Sequence, residues 1–254
     1  KLFFMTNNNM YFVANWKMYG NIADINKSKS LIKLANQKKY KFSKIIYCPP
    51  FTLIKTFFDK VKNSNVFIGA QNCHSISEYG AHTGSVNAKL IKSTGAKYII
   101  LGHSENRKSG ETDIIINKKI HSALKENLKV IFCIGEKLSE KRKKKTYNIL
   151  KKQLIHGLKG IKKIENIIIA YEPVWSIGTG VVPKNPELIK NIDNIKKILY
   201  KLKNSKSIKI LYGGSVNSNN VKELAKIKEI SGFLVGGASL NPKKFIDIIK
   251  KSIN

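Results

Sequence analysis

The stretch IIIAYEPVWSIGTG, residues 167–180, contains the pattern that decides the fold. It begins with a short apolar run of the kind that forms a strand buried on both faces. A carboxylate, Glu172, follows where this strand should end, and a glycine-containing loop comes next. A lone glutamate beside a buried strand costs free energy unless it is paired or used. The stretch therefore predicts a buried strand that ends in a candidate catalytic base, followed by a loop that can close as a lid.

Seven further apolar runs alternate with helix-like segments along the chain. The predicted strands cover residues 11–16, 44–49, 66–72, 97–102, 129–135, 167–172, 208–214 and 232–237. The predicted helices cover residues 24–38, 51–62, 87–94, 112–127, 139–159, 186–203, 218–229 and 242–253. Eight strand–helix units without a linker predict one α/β domain, a single (β/α)8 barrel, over residues 11–254. We expect residues 1–10 to be a poorly ordered N-terminal extension.

The composition limits the classes of function. The chain has 254 residues, of which 42% are hydrophobic, and a formal net charge of +31. No apolar run approaches the roughly 18 residues of a transmembrane helix, so we expect no membrane association. The charge would suit a nucleic-acid partner, but the lysines recur along all the predicted helices, where they would line solvated faces, and nucleic acid is not the expected partner. The three cysteines match neither a disulfide framework nor a metal motif, which favours a reducing compartment.

Polar side chains stand at the predicted C-terminal ends of several strands, where this architecture carries its chemistry. Asn15 and Lys17 follow the first strand, and His103 and Glu105 follow the fourth. A lysine there can bind an anion, and the backbone dipole at a helix start disfavours protonation of a histidine. Each residue alone also has a structural explanation: a solvated lysine, a hydrogen-bonded histidine, or a salt-bridged Glu172. Their placement on one face of the barrel predicts an active site.

Paired glycines follow the seventh and eighth strands, at Gly213–Gly214 before Ser215 and at Gly236–Gly237. Bare backbone N–H groups in such loops can bind phosphate. The loops after the last two strands are also the recurrent phosphate site of this architecture. Tight turning would explain either glycine pair alone, but it explains both together less well. The two loops therefore predict a phosphorylated substrate.

The motifs resemble those of the triosephosphate isomerase family in order and spacing from residue 11 onward. The matching segments are FVANWKM (12–18), GAQN (69–72), HTGSV (82–86), LGHSE (101–105), FCIGEKL (132–138), AYEPVWSIGTG (170–180), LYGGSV (211–216) and GFLVGGASL (232–240). The resemblance implies interconversion of dihydroxyacetone phosphate and glyceraldehyde 3-phosphate in glycolysis and gluconeogenesis, without cofactor or metal. It implies that Glu172 is the base and that His103 polarises the carbonyl as a neutral imidazole. The implied supporting residues are Lys17, Asn15 and Glu105.

The resemblance also implies how substrate and partner are bound. The implied phosphate ligands are the N–H groups of Gly178, Ser215, Gly236 and Gly237. The implied lid comprises Pro173, Val174, Trp175, Ser176, Ile177, Gly178, Thr179 and Gly180. A homodimer is implied, in which a loop around Thr83 enters the partner's active site and covers Met18, although monomeric barrels also exist. The implied location is the cytoplasm, with an organelle after import as the alternative.

Several positions depart from the family pattern. Many relatives have an alanine whose N–H donates to the tyrosine of the YGGS motif when the lid is closed. Pro183 stands at that place here, and proline has no N–H. Tyr212 cannot be held in the usual way, so we expect Tyr212→Phe to cost less catalysis here than in an alanine-containing relative. After HSE many relatives have two arginines, whereas here Asn106 precedes a single Arg107, and Ser85 stands where a glutamate is common. Both changes lie near the implied dimer interface and leave the strength of the dimer open.

Two rival functions follow from the residues. A Schiff-base aldolase on the same architecture needs a lysine at a strand end inside the barrel, and Lys17 is the only good candidate, already with a role in the isomerase. A polyanion-binding barrel is favoured by the charge of +31 but disfavoured by the intact set of Glu172, His103 and Lys17. An isomerase assay separates these alternatives.

Overall fold

A computed structural model describes residues 10–162, 164–205 and 207–253. Eight parallel strands form a closed barrel in chain order, so each strand pairs with its sequence neighbours and the last pairs with the first. The strands are β1 (Tyr11–Asn15), β2 (Lys44–Cys48), β3 (Val66–Ala70), β4 (Tyr98–Leu101), β5 (Lys129–Ile134), β6 (Ile167–Tyr171), β7 (Lys209–Tyr212) and β8 (Gly232–Val235). The predicted (β/α)8 barrel is confirmed. Of the expected extension, residues 1–9 lie outside the described part, and Met10 is buried.

Helices surround the barrel and connect its strands. They are α1 (Ile22–Asn26), α2 (Lys29–Ala35), α3 (Ile54–Val61), α4 (Ala88–Ser93), α5 (Ser104–Lys108), α6 (Asp113–Lys125), α7 (Leu138–Arg142), α8 (Thr146–Gly157), α9 (Asn185–Lys203), α10 (Val221–Ala225) and α11 (Pro242–Ile253). Single 3-10 turns lie at Lys38–Tyr40, Phe51–Leu53, Val174–Ser176 and Gly237–Leu240. Among the described residues, every helix is too short or too polar to cross a bilayer.

Three of the predicted helices are shorter or more broken than the sequence pattern indicated. The segment 24–38 is interrupted where the Ser28 hydroxyl donates to the Ile25 carbonyl at 2.6 Å, between α1 and α2. The segment 139–159 is interrupted at Lys144, whose backbone is left-handed with φ of 56°. In 218–229 only α10 is helical, because the Asn217 side chain accepts from backbone N–H groups of the preceding turn and so competes with helix formation.

Two groups of apolar side chains hold the barrel together, and they come from alternate positions along the strands. The larger group packs between the barrel and its helices. The smaller group fills the barrel interior as stacked layers, as expected for this architecture. Its buried members are Val13, Ile46, Cys48, Tyr98, Ile100, Ile131, Cys133, Ile168, Ala170, Leu211 and Leu234. The interior is therefore a packed core, and the pocket that the predicted site residues line lies above it, at the C-terminal ends of the strands.

Candidate active site

Glu172 follows β6 directly and is 2% exposed. Its backbone N–H donates to the Ile134 carbonyl of β5 at 2.8 Å. A Cβ at Gly135 would lie 1.7 Å from the Glu172 carbonyl oxygen, so only glycine permits this close approach of the two strand ends. These contacts fix the main chain of Glu172 to the barrel and direct its carboxylate into the pocket.

The thiol of Cys133 lies against this carboxylate from the barrel interior. Burial raises the pKa of Cys133 well above its usual range, and the charge and hydrogen bond of Glu172 raise it further. The thiol is therefore protonated and can donate to Glu172. The sequence predicted only a core residue at this position, because nothing in an apolar strand indicates which side chain faces a carboxylate.

His103 caps the N-terminus of α5 and is 5% exposed. Its Nδ1 accepts from the Glu105 backbone N–H at 3.3 Å, and its Nε2 lies 3.3 Å from Oε1 of Glu172. An accepting Nδ1 assigns the proton of the neutral ring to Nε2, on the side that faces the pocket. The neutral imidazole is therefore oriented to donate a hydrogen bond toward the position of a substrate.

The protonation of His103 depends on groups that the sequence argument did not include. Burial lowers the pKa of His103, but the charge and hydrogen bond of Glu172 and the charge of Glu105 outweigh burial, and the pKa is raised overall. The expectation from the helix start considered the backbone dipole alone. The two carboxylates that face the ring reverse the net direction of the shift in this arrangement.

We expect Glu172→Gln to lower the pKa of His103, because the substitution removes the largest of the contributions that raise it. Burial and the charge of Lys17 would then lower the pKa of His103, and only the charge of Glu105 would still raise it. Titration of the ring nitrogens by ¹H–¹⁵N NMR measures the change. Glu165 is exposed and lies just before the start of β6, at the opposite end of this strand from Glu172. The matched control is therefore Glu165→Gln. An unchanged or higher pKa in Glu172→Gln would contradict the assignment of the shift.

Lys17 stands just beyond β1 in the left-handed region, with φ of 53°. Its N–H donates to Asn15 Oδ1 at 3.0 Å, and its carbonyl accepts from Gln71 Nε2 at 2.8 Å. Its ammonium group pairs with Glu105 Oε1 at 2.5 Å. The unusual backbone is thus held from both sides, and the charge is held at the pocket. Gln71 belongs to the GAQN motif, but nothing in that motif predicts this contact.

A pocket of about 290 Å³ opens at this end of the barrel. It is lined by Asn15, Lys17, His103, Glu172, Ile177, Gly178, Gly180, Gly213, Gly214, Ser215, Val216, Asn217, Leu234, Gly236, Gly237 and Ala238. The structure thus brings together residues from the ends of β1, β4, β6, β7 and β8. Glu105 lies beside the pocket through its contact with Lys17, whereas Thr83 is exposed on a separate loop. Within the described part of the chain, no group of three or more His, Cys, Asp and Glu side chains is suited to a metal ion.

The loop after Glu172 folds over this pocket and is held at its far side by Ser215. The Gly180 N–H donates to Ser215 Oγ at 3.0 Å, and the same hydroxyl donates to the Ser176 carbonyl at 2.7 Å. Ile177 and Gly178 between these contacts line the pocket. The loop is therefore in a closed arrangement, and its tip lines the same pocket as Glu172.

A buried carboxylate anchors the first hinge of this loop. Glu136 is fully buried and accepts from Trp175 Nε1 at 2.9 Å and from the Tyr171 hydroxyl at 3.2 Å. Burial raises the pKa of Glu136, although these donors oppose the shift. Lys141 on α7 lies 3.6 Å from the centre of the Trp175 ring. The family resemblance placed Trp175 in the lid, but the sequence did not reveal its contact with Glu136, which is distant in the chain.

The fold and the site define a (β/α)8-barrel enzyme whose pocket holds a carboxylate and an imidazole in contact. A family model described as triosephosphate isomerase matches residues 10–252. The chain belongs to the triosephosphate isomerase family, and it is an isomerase.

Individual relatives agree along nearly the whole chain. Triosephosphate isomerase of Dictyoglomus thermophilum is 43% identical over 245 residues, which cover 93% of this chain and 97% of that protein. The protein of the same name from Aquifex aeolicus is 38% identical over 242 residues, covering 93% and 96%. The crystal structure of triosephosphate isomerase from Bartonella henselae is 32% identical, covers 96% of this chain and 98% of its own, and superposes with a TM-score of 0.87.

Proposed function

We propose that this chain interconverts dihydroxyacetone phosphate and D-glyceraldehyde 3-phosphate, a step of glycolysis and gluconeogenesis, with Glu172 as the base. The observation that carries the proposal is the contact of Glu172 Oε1 with His103 Nε2, 3.3 Å apart, in a pocket that the lid covers. A carboxylate and a hydrogen-bond donor on either side of a substrate are what proton transfer next to a carbonyl requires.

The proposed reaction moves one proton between neighbouring carbons. The Glu172 carboxylate removes a proton from the carbon beside the carbonyl, and the electron pair moves onto the carbonyl oxygen to give an enediolate. A proton then passes from the neighbouring hydroxyl oxygen to the former carbonyl oxygen, with His103 as the group that relays it, and Glu172 returns its proton to the adjacent carbon as the new carbonyl forms. Exclusion of water strengthens the electrostatic interactions inside the site and protects the enediolate. Because the electrons stay within one substrate molecule, the reaction needs no cofactor or metal.

The developing oxyanion is proposed to be stabilised by donors that are already in place. His103 donates from Nε2, and this family is itself a standard example of a neutral histidine in that role. Lys17 contributes a positive charge and Asn15 an amide donor, while Glu105 positions Lys17 through its 2.5 Å contact. Groups fixed before the reaction stabilise the transition state without reorganisation.

The phosphate group is proposed to bind at the far side of the pocket. The proposed donors are the backbone N–H groups of Gly178, Ser215, Gly236 and Gly237, together with Lys17. The support is that all five residues line the same pocket. Binding through a part of the substrate that does not react supplies free energy for orientation and for closure of the lid.

A coupled assay in both directions tests the proposed function. Glyceraldehyde 3-phosphate formation is followed with its dehydrogenase, and dihydroxyacetone phosphate formation with glycerol-phosphate dehydrogenase. We expect turnover that a metal chelator does not reduce. Undetectable turnover by the folded wild-type protein would overturn the proposal.

A homodimer is the proposed assembly. Its support is a set of exposed apolar side chains, one next to Lys17 and two on the loop between β3 and α4: Met18 is 93% exposed, Tyr79 63% and Ile76 42%. Thr83, on the same loop as Tyr79 and Ile76, is proposed to enter the partner's active site over Met18. Exposed apolar groups of this size are typical of association surfaces.

We expect sedimentation velocity at micromolar concentration to give a dimer and Met18→Asp to shift it toward monomer, because the substitution buries a charge in the contact. Ile155→Asp on α8, another exposed apolar position, is the matched control and should remain dimeric. A wild-type monomer at micromolar concentration would contradict a tight dimer.

The cytoplasm is the proposed compartment, with an organelle after import as the alternative. The support is that Cys48, Cys73 and Cys133 are all unpaired thiols, as expected in a reducing environment. Fractionation of the source cells with an antibody against the chain would test this location.

A further inference from the structure

The C-terminal hinge of the lid, residues 181–183, lacks a backbone hydrogen-bond donor that many relatives use. Pro183 stands where those relatives have an alanine, so no backbone N–H is available there to the YGGS tyrosine, Tyr212. Yet the Tyr212 hydroxyl is not left without a partner. Tyr212 is fully buried, and its hydroxyl oxygen lies 3.0 Å from Ser176 Oγ. The closed lid is therefore in contact with β7 through a side chain instead of a backbone group.

The hydrogen bonds around Ser176 have only one consistent set of directions. Its hydroxyl proton is used by the Val181 carbonyl, which can only accept, at 2.5 Å. The Tyr212 hydroxyl must then be the donor to Ser176 Oγ. The Ser215 N–H approaches the same oxygen at 3.4 Å. Ser176 is fully buried, and its one donor and both acceptor positions are occupied.

Ser176 and Tyr212 pack directly on the YGGS turn. A Cβ at Gly214 would lie 2.2 Å from the Tyr212 hydroxyl and 2.6 Å from Ser176 Oγ. The backbone of Gly214 therefore packs against both hydroxyl groups and leaves no space beside their hydrogen bond. The shape of the site therefore holds the two side chains in direct contact.

We propose that Ser176 is a positioning residue that holds the lid closed by accepting from Tyr212, and that it takes the place of the backbone partner that Tyr212 lacks at Pro183. Its side chain joins the first hinge, at Ser176, to the end of the lid, at Val181, and joins both to Tyr212 on β7. Ser176 is not among the residues that line the pocket. The proposal rests on the proposed isomerase function, since its consequence is the protection of the enediolate.

The chemical consequence of a weaker latch is loss of phosphate from the intermediate. In an open site the enediolate electron pair can expel the phosphate group as the bond between carbon and the phosphate-bearing oxygen breaks. The resulting enol takes up a proton and becomes methylglyoxal, and inorganic phosphate leaves. No oxidant or reductant is needed. The fraction of turnovers that end in phosphate release therefore reports how well the lid stays closed.

The structure also revises the expectation for Tyr212→Phe. The sequence argument expected a smaller cost than in relatives with alanine, because the usual donor is absent. With Ser176 as acceptor, the substitution removes a buried hydrogen bond here too. We expect Tyr212→Phe and Ser176→Ala each to lower kcat about tenfold, the effect of about one buried hydrogen bond, and to raise the phosphate-release fraction several-fold.

The decisive test is rescue at residue 183. The double variant Ser176→Ala, Pro183→Ala offers Tyr212 a backbone N–H, as in the alanine-containing relatives, and we expect it to recover most of the lost kcat and to suppress phosphate release. Adding Tyr212→Phe should abolish this recovery, because the restored donor then has no acceptor. Ser93→Ala, which removes a hydroxyl bonded to a backbone carbonyl on α4, is the matched control.

The outcomes separate this proposal from the proposed function. If the folded wild-type protein has no isomerase activity, the proposed function itself is wrong. Active wild type, with Ser176→Ala unchanged in kcat and in phosphate release, would overturn the latch alone. A slower Ser176→Ala with an unchanged phosphate-release fraction, or without recovery by Pro183→Ala, would also contradict the latch. Should Ser176→Ala fail to fold, as judged by thermal unfolding, Tyr212→Phe tests the same bond through the same two readouts.

Discussion

Replacing Glu172 with glutamine is expected to lower kcat by about 10³-fold and to leave KM within about threefold. The amide has nearly the shape of the carboxylate, so it fits the same space beside His103. It cannot accept a proton from carbon, and proton abstraction is the step for which the buried carboxylate is placed. The loss should therefore appear in the chemical step and leave ground-state binding largely intact.

The control for this experiment is Glu165→Gln, which removes the same charge from an exposed position before β6 and should retain full activity. Both variants should unfold at temperatures close to that of the wild type. A Glu172→Gln protein that keeps a tenth or more of the wild-type kcat would show that another group is the base.

Replacing Lys17 with methionine is expected to lower kcat/KM by about 10²–10³-fold, with both kcat and KM affected. The ammonium group serves an anionic substrate and an oxyanion that forms later, so its loss weakens both states. The substitution also leaves Glu105 without its partner. That side chain is 56% exposed and close to the pocket, where its negative charge would repel the substrate.

Two further variants separate these effects. Lys17→Met combined with Glu105→Gln should recover part of the KM loss but not the kcat loss, because it removes only the repulsion. Lys209 is exposed at the start of β7, on the opposite end of the barrel from the pocket. The variant Lys209→Met therefore tests whether positive charge anywhere on the protein affects kcat/KM. Should Lys209→Met reduce kcat/KM as much as Lys17→Met, the effect would be one of net charge and not of the site.

The sequence predicted the barrel well because its strands are buried on both faces and therefore form continuous apolar runs. It also predicted which residues stand at strand ends, such as Glu172 and His103, since strand ends follow directly from strand positions. Helix interruptions were harder to predict. Lysine is compatible with a helix, so the run around Lys144 gave no indication of the left-handed residue that separates α7 from α8.

Contacts between distant side chains were beyond the sequence pattern. The bond from Trp175 to Glu136 and the bond from Tyr212 to Ser176 join residues 39 and 36 positions apart. Their existence depends on how neighbouring strand ends meet and on which rotamers the packing allows. The missing donor at Pro183 could be recognised from the sequence, but its replacement could not, because serine at 176 is consistent with an ordinary loop residue.

The close contact of Gly135 with the Glu172 carbonyl separates two parts of the molecule that can evolve at different rates. The position of Glu172 belongs to the barrel, since its backbone is bonded to β5 and packs against Gly135, where no larger residue fits. The loop beyond it is held by separate contacts, such as those of Ser176 with Val181 and Tyr212, that do not involve the Glu172 carboxylate. Variation among descendants of this chain should therefore concentrate in how the loop is fastened, while the geometry of proton transfer is passed on unchanged.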